Sequence, residues 1–317
     1  MHSFSCPACG HLVFFENFTC LNCGTELGWS RADAALVAAG VRCANAERAR
    51  CNWLVDAPGQ LCGSCALTRT RPADGDAAAE AFADTEAAKR RLVFQLDDMG
   101  LTTDGVVFDL LSSAAEPVTT GHADGVVTID LAEGEDDHRE ALRVQLAEPY
   151  RTMLGHLRHE TGHWYWTVLV EPSPEPFRKL FGDERADYGE ALQRHYGGPP
   201  PAGWEETHVS SYATAHPWED WAESFAHYLH IRDTLQTAAG WGVVVGGPAA
   251  TTVPDAPLRA LPRGTPASFD EIVDTWLPLT YALNAVNRSM GKDDLYPFVL
   301  TPPVLEKLRF VHDAIHT

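Results

Sequence analysis

No cysteine follows Cys65, and residues 1–75 contain no lysine. No apolar run is long enough to cross a bilayer, which excludes a membrane-spanning helix. The N-terminus, "MHSFSCPACGH", lacks a charged stretch followed by an apolar core, so it does not read as a secretory signal, and a cytoplasmic protein is expected. Basic residues are also scarce. The net charge is −20, from 24 Lys and Arg against 44 Asp and Glu. Residues 1–75 are neutral, with six Arg against six acidic residues, so the rest of the chain carries the whole imbalance. Such a body repels nucleic acid and anionic lipid, and neither is expected as a partner. The arginines between Arg42 and Arg71 are the one basic stretch that an acidic partner could meet. With 317 residues, 45% of them hydrophobic, the chain has enough apolar material for one large or two modest globular domains.

What is present is concentrated. All eight cysteines lie between Cys6 and Cys65. Cys6-Pro-Ala-Cys9-Gly and Cys20-Leu-Asn-Cys23-Gly are two C-x-x-C-G knuckles, each turning two thiolates toward one metal, with the glycine permitting the tight turn. Cys43, Cys51 and Cys62-Gly-Ser-Cys65 form a second, less regular group. Two closed four-thiolate zinc sites are expected, structural because neither has an open position. A segment this small needs the metal to fold. The expected division is a zinc-ribbon module over 1–75 and a second domain over 76–317.

After a polar linker the pattern reads as a helix from Ala77 to Leu96, then β-rich runs at Gly105–Leu111 and Gly121–Glu133, the latter with Asp124-Gly125 as a turn. A long helix is expected from Glu148-Pro149 until the prolines at 172, 174 and 176 stop it. Further helices are expected over Glu184–Tyr196, from Pro217 to Gln236, after the Ser268–Glu271 capping box, and after Thr301-Pro302. The Gly/Pro-rich stretch Thr237–Ala267 reads as a long connection. The fold class is therefore α+β, mostly helical with a small sheet.

Within the long helix lies His159-Glu160-Thr161-Gly162-His163, an H-E-x-x-H. On a helix the two histidines stand one turn apart and face one way, as zinc ligands must, and Glu160 lies beside the metal as a general base. The continuation places Trp166 and Leu169 where metzincins have Gly and His, which excludes that class. The candidate third ligand is Glu219 in "HPWEDWAESFAHYLH", with Glu223 one turn later to accept the N–H of a ligand histidine. Trp218, Trp221, Phe225 and Tyr228 surround this pair and imply burial, where carboxylates need a partner or a metal.

The H-E-x-G-H helix followed by E-D-W-A-E-S-F-A resembles the gluzincin metallopeptidases, with a catalytic core similar to that of anthrax lethal factor. Over the whole chain, through both cysteine groups, "GHADGVVTIDLAE", "EPYRTMLGHLRHETGHWYW", "LFGDERADYGEALQRHY" and "FVLTPPVLEKLRFVH", the sequence is similar to a bacterial family of zinc-binding metallopeptidases with an N-terminal zinc ribbon. The resemblance implies a zincin-like domain, His159, His163 and Glu219 as zinc ligands, Glu160 as base and Glu223 behind the ligands. It also offers Tyr212 as oxyanion donor. The sequence departs from the family in its loop between Gly197 and His216, which also carries His208 and His216, and either could take that role or serve as a spare ligand. The strand Val126–Asp130 is expected at a sheet edge that pairs with substrate, as in zincins. His156 is expected to pack or to support the ligands, and His122, His138, His195 and His312 to lie at the surface or to be structural.

The expected activity is that of a zinc-dependent endopeptidase that hydrolyses peptide bonds through zinc-activated water. It implies one catalytic and two structural zinc ions and a protein or peptide substrate, with the ribbon available to a protein partner. The alternatives are a catalytically inactive zincin-fold adaptor that binds peptides, and an amidase acting on a non-peptide amide.

Overall fold

The computed structural model describes residues 3–73, 77–113, 117–134, 152–246 and 267–316. The chain forms two compact units. The first comprises Met1–Glu148, Thr152–Leu154 and Gln236–Val243; the second comprises Pro149–Arg151, Gly155–Leu235 and Val244–Thr317. Small sheets and seven described α-helices make the fold α+β. No helix among the described residues is long and apolar enough to cross a membrane.

The first unit opens with three two-stranded antiparallel ribbons: β1 (Phe4–Ser5) with β2 (Leu12–Val13), β3 (Leu27–Ser30) with β4 (Ala35–Ala38), and β5 (Val41–Arg42) with β6 (Leu54–Val55). Strands of two to four residues cannot bury a core by themselves. Their inner face is instead aromatic: Phe15 meets Trp29 at 5.0 Å and Trp53 at 6.3 Å between ring centroids. Helix α1 (Ala79–Asp98) closes this cluster with Phe94, 4.9 Å from Phe15 and 5.2 Å from Trp29. Arg31 pins the end of α1 with two 2.7 Å bonds to Asp97. The basic stretch is largely consumed inside the unit. Arg48 donates to the Ala73 carbonyl, Arg50 pairs with Asp84 at 3.0 Å, and Arg69 pairs with Asp109.

Beyond the ribbons, β7 (Thr68–Thr70), β8 (Val107–Leu111), β9 (Gly121–Ala123) and β10 (Val126–Asp130) form one sheet in the order β7-β8-β10-β9. β10 runs parallel to β8, with Val126 opposite Val107, and antiparallel to β9, with Val126 opposite Ala123. This corrects the expectation of an edge strand at Val126–Asp130. Asp124 and Gly125 both have positive φ, 50° and 78°, the geometry of a tight hairpin turn, so residues 121–123 fold back and cover β10 as far as Thr128.

The second unit is helical: it holds α2 (Met153–Leu169) from Gly155 onward, α3 (Glu175–Phe181), α4 (Tyr188–Tyr196), α5 (Pro217–Gly240) as far as Leu235, α6 (Phe269–Ser289) and α7 (Pro302–His316). The expected start of α2 at Glu148-Pro149 and most of the connection Thr237–Ala267 lie outside the described residues, as does His138. Helix α3 is an addition to the expected set. Pro174 and Pro176 stop the preceding helix and also open the next, since proline fits a first helical turn where no N–H is needed. The capping box at Ser268 and Glu271 forms as expected at the start of α6. The core joins α2, α3, α5 and α7 through stacked Tyr165 and Phe225, buried Trp221, and Phe177, Phe181 and Phe310.

Helices α2 and α5 meet closely at Gly162. A Cβ there would stand 3.2 Å from Phe225 Cδ1 and 3.3 Å from the Ala222 Cα. Glycine therefore permits the approach. Trp221 fixes it by donating from Nε1 to the Gly162 carbonyl at 2.8 Å.

Candidate metal centres

Both cysteine groups gather as four. Cys6, Cys9, Cys20 and Cys23 bring their sulfurs together, as do Cys43, Cys51, Cys62 and Cys65. In each group opposed sulfurs stand 3.7 Å apart: Cys6 and Cys23, Cys9 and Cys20, Cys51 and Cys62. A disulfide holds sulfurs at about 2.05 Å. Four sulfurs around one zinc, each about 2.3 Å from it, stand about 3.8 Å from one another. The spacing is that of metal ligands. The knuckles repeat one backbone pattern. The Cys6 amide bonds the His11 carbonyl and Gly10 returns to Cys6; likewise Cys20 bonds Thr25 and Gly24 returns to Cys20. Gly10 and Gly24 sit at φ 72° and 75°, which only glycine adopts freely. Thr25 holds the Cys23 thiol down at about 6 through its hydroxyl and amide. The second group replaces one knuckle by a longer turn, yet backbone amides still aim at sulfur: Cys62 N–H donates to Cys43 Sγ at 3.2 Å and Cys65 N–H to Cys62 Sγ at 3.4 Å. All four of its cysteines are buried, whereas Cys9 and Cys23 of the first group are exposed.

The third group is of another kind. His159 and His163 project from one face of α2, their rings 4.9 Å apart. Glu219, in the first turn of α5, is fully buried. Its Oε2 lies 3.0 Å from His159 Nε2 and 3.4 Å from His163 Nε2. Two imidazole nitrogens and a carboxylate oxygen thus converge on one point, at separations expected of donors about 2.0–2.2 Å from a shared zinc. The remaining atoms of these ligands are held from behind. Glu223 Oε1 pairs with His159 Nδ1 at 2.7 Å, and Ser210 donates to Glu223 Oε2 at 2.5 Å. An Nδ1–H donated to Glu223 leaves the Nε2 lone pair facing the centre. Tyr188 donates to Glu219 Oε1 at 2.6 Å.

The charges follow this geometry. Burial opposes ionisation of Glu219, but His163 and His159 outweigh it and hold the carboxyl well below its ordinary range. Burial likewise opposes Glu223, which His159 nevertheless holds at about 2. His159 is lowered by burial and raised by Glu219 and Glu223, and the carboxylates win. A buried pair of carboxylates is thus matched to positive charge at the histidines, where a proton or a cation satisfies it.

Glu160 follows His159 on α2. Its Oε2 is shielded from solvent and takes no hydrogen bond among the described residues. A buried carboxylate oxygen without a partner beside three convergent donors fits a site built to hold a metal and a water. Tyr212 sits on a short turn (Tyr212–Thr214), its ring 5.8 Å from that of His159. Burial, then the charge of Glu219, pushes its hydroxyl far above the ordinary tyrosine range, so it stays a neutral donor. Trp218 stands over His163 at 4.1 Å between ring centroids and walls the centre.

His216 and His208 have other work. His216 accepts the Trp218 N–H at Nδ1 and donates from Nε2 to the Ala186 carbonyl, both at 3.1 Å. His208 meets the Thr207 hydroxyl at Nδ1, and burial followed by Lys307 lowers it to about 4. Neither ring joins the three convergent donors. His156 stays outside that group as well. His312 is structural, bonded to the Tyr228 hydroxyl at 2.8 Å, and His195 packs against Tyr212. Tyr188 and Ser210 escaped the sequence reading because no spacing ties them to the H-E-x-x-H. The signal available for Tyr188 was its place just after Asp187, which caps α4.

Comparisons with known proteins agree with this layout. Residues 78–314 match the family described as putative zinc-binding metallo-peptidase, and residues 3–42 and 40–76 each match a zinc-ribbon domain. Uncharacterized proteins of Mycobacterium tuberculosis and Mycobacterium bovis are 53% identical over 334 residues, covering 99% of this chain and 95% of theirs. No solved structure matches, and the expected similarity to the lethal-factor core is not shown.

Proposed function

The chain belongs to the putative zinc-binding metallopeptidase family, and from that premise we propose that it is a zinc-dependent endopeptidase. The observation that carries this reading is the convergence of His159 Nε2, His163 Nε2 and Glu219 Oε2, with His159 oriented by Glu223. In this reading residues 1–75 are a ribbon module with two structural zinc ions, and residues 76–317 are the catalytic domain with one zinc. Bound there, the metal acts as a Lewis acid that polarises the scissile carbonyl and makes water a nucleophile near neutral pH. Glu160, with an unengaged buried oxygen, takes the proton of the attacking water and passes it to the leaving amine. Tyr212, a neutral donor, meets the negative charge that develops on the carbonyl oxygen. Glu223 keeps His159 in one tautomer throughout. The ribbon is available to a protein partner or to the substrate. Eight cysteines arranged for metal and not for disulfides suit the reducing cytoplasm.

The test is Glu160→Gln assayed on an unfolded protein and a peptide library. Wild type is expected to cleave and to stop when a chelator is added. The variant is expected to keep its zinc and lose about 10²–10⁴-fold in rate. A variant as active as wild type would remove Glu160 as base. A zinc-loaded wild type that binds peptides without cutting any would point to the adaptor reading.

A further inference from the structure

We propose that Tyr188 is a positioning residue for the metal centre: its hydroxyl holds Glu219 Oε1 so that only Oε2 is presented to the metal. The inference rests on the proposed metal centre and adds a residue to it. Glu219 divides its two oxygens cleanly. Oε2 faces both histidine Nε2 atoms, and Oε1 receives the Tyr188 O–H at 2.6 Å. A carboxylate free to turn could present both oxygens and fill the position that a metallohydrolase keeps open for water and substrate. With Oε1 engaged, that rotation costs a hydrogen bond to a fully buried carboxylate.

The tyrosine is itself held by two independent devices. Asp187 caps α4 by accepting the Glu190 N–H at 2.8 Å, which fixes the backbone turn at Tyr188. His216 donates to the Ala186 carbonyl at 3.1 Å while accepting the Trp218 N–H, so one imidazole ties the approach to α4 to the start of α5, where Glu219 lies. The Tyr188 ring then packs edge-on against His216 at 5.3 Å and Trp218 at 6.0 Å. This also gives His216 its place: it fixes the residue that fixes a ligand.

The experiment is Tyr188→Phe, which removes the hydroxyl and keeps the ring. Zinc affinity of the histidine site is measured by chelator competition. The coordination is read from the visible absorption of cobalt(II) placed in that site while the cysteine sites keep zinc. Expected are a 10–100-fold weaker site, a weaker cobalt d–d band as the carboxylate supplies its second oxygen, and unfolding of the protein with the histidine site empty that stays cooperative and falls by no more than the loss of one buried hydrogen bond. Unchanged affinity and an unchanged cobalt spectrum, in a wild type that does bind metal there, overturn the Tyr188 role and leave the metal centre standing. A wild type that binds no metal at the histidines overturns both.

Discussion

The chain solves the same problem, gathering metal donors, in two ways. The cysteine centres take their donors from nearby in sequence: Cys6 to Cys23 in one, Cys43 to Cys65 in the other. Knuckle turns aim the sulfurs, and no other unit of structure is needed. The histidine centre takes two donors from α2 and the third from α5, with 56 residues from His163 to Glu219. Its ligands are aimed by side chains behind them, Glu223, Ser210 and Tyr188. Four soft thiolates close a shell and suit a structural role; three harder donors leave a position free. In the proposed reading, stability and chemistry fall to different centres by donor count.

The sharpest break in this comparison is metal removal. The ribbon strands are two to four residues long, so the ribbons are expected to depend on their cysteine centres; structural zinc in such modules contributes about 10–16 kcal/mol. Cys65→Ser in the fully buried second centre is expected to cost several kcal/mol and to erase the near-ultraviolet circular dichroism of the Trp29–Trp53 cluster. The His159→Ala, His163→Ala pair is expected to leave that signal intact and to lower zinc from about three per chain to about two. Equal zinc in both proteins would mean that the histidine centre holds no metal.

A smaller effect separates the units by pH. In the second unit His227 is buried and His230 half-buried, and they are lowered to about 4 and about 3, in each case chiefly by desolvation. Unfolded, each titrates near 6.5, so the unfolded chain binds more protons between pH 6.5 and 4. The contribution is full above pH 6.5 and falls as the pH drops through that window. For His227 it amounts to about 3 kcal/mol. His227→Gln is expected to flatten the dependence of the second unit's melting on pH by about that amount, leaving the Trp29–Trp53 signal unaffected. An equal slope in both proteins would show that His227 protonates freely in the fold.

The same contrast explains what the sequence revealed. A knuckle is a local pattern, so both cysteine groups could be read directly, as could the two histidines one turn apart. Glu219 and Glu223 were legible because aromatic residues flanked them in a helical pattern. Tyr188 and Ser210 were not, because what recruits them is the packing of α4 and of the loop before α5 against the ligands. The sheet misled for a related reason. Val126–Asp130 reads as a strand from its β-rich composition, but its neighbours depend on the Asp124-Gly125 hairpin, and that turn places β9 where an edge was expected. His216 was a candidate spare ligand by its place in the loop before α5 and proved a brace by geometry.

The finest test bears on the one feature that only the histidine centre needs, the approach of two helices. At Gly162→Ala two effects oppose. Alanine favours the helix by about 0.5–1 kcal/mol over glycine. Its methyl, however, would meet Phe225 at 3.2 Å and the Ala222 backbone at 3.3 Å, so α5 must yield by a few tenths of an ångström. Ala222 lies between Glu219 and Glu223 on that helix, so the shift moves the third ligand and the residue behind His159 together. The two effects nearly cancel in stability, and the expected change in unfolding free energy is within about 1 kcal/mol. They do not cancel at the metal, where a displaced donor is uncompensated. Zinc affinity of the histidine site is expected to fall about tenfold, while both cysteine centres, which take no donor across a helix crossing, keep theirs. Chelator competition resolves the two classes of site in one titration. Loss at the cysteine centres, or undiminished affinity at the histidines, would show that the crossing does not set the ligand geometry.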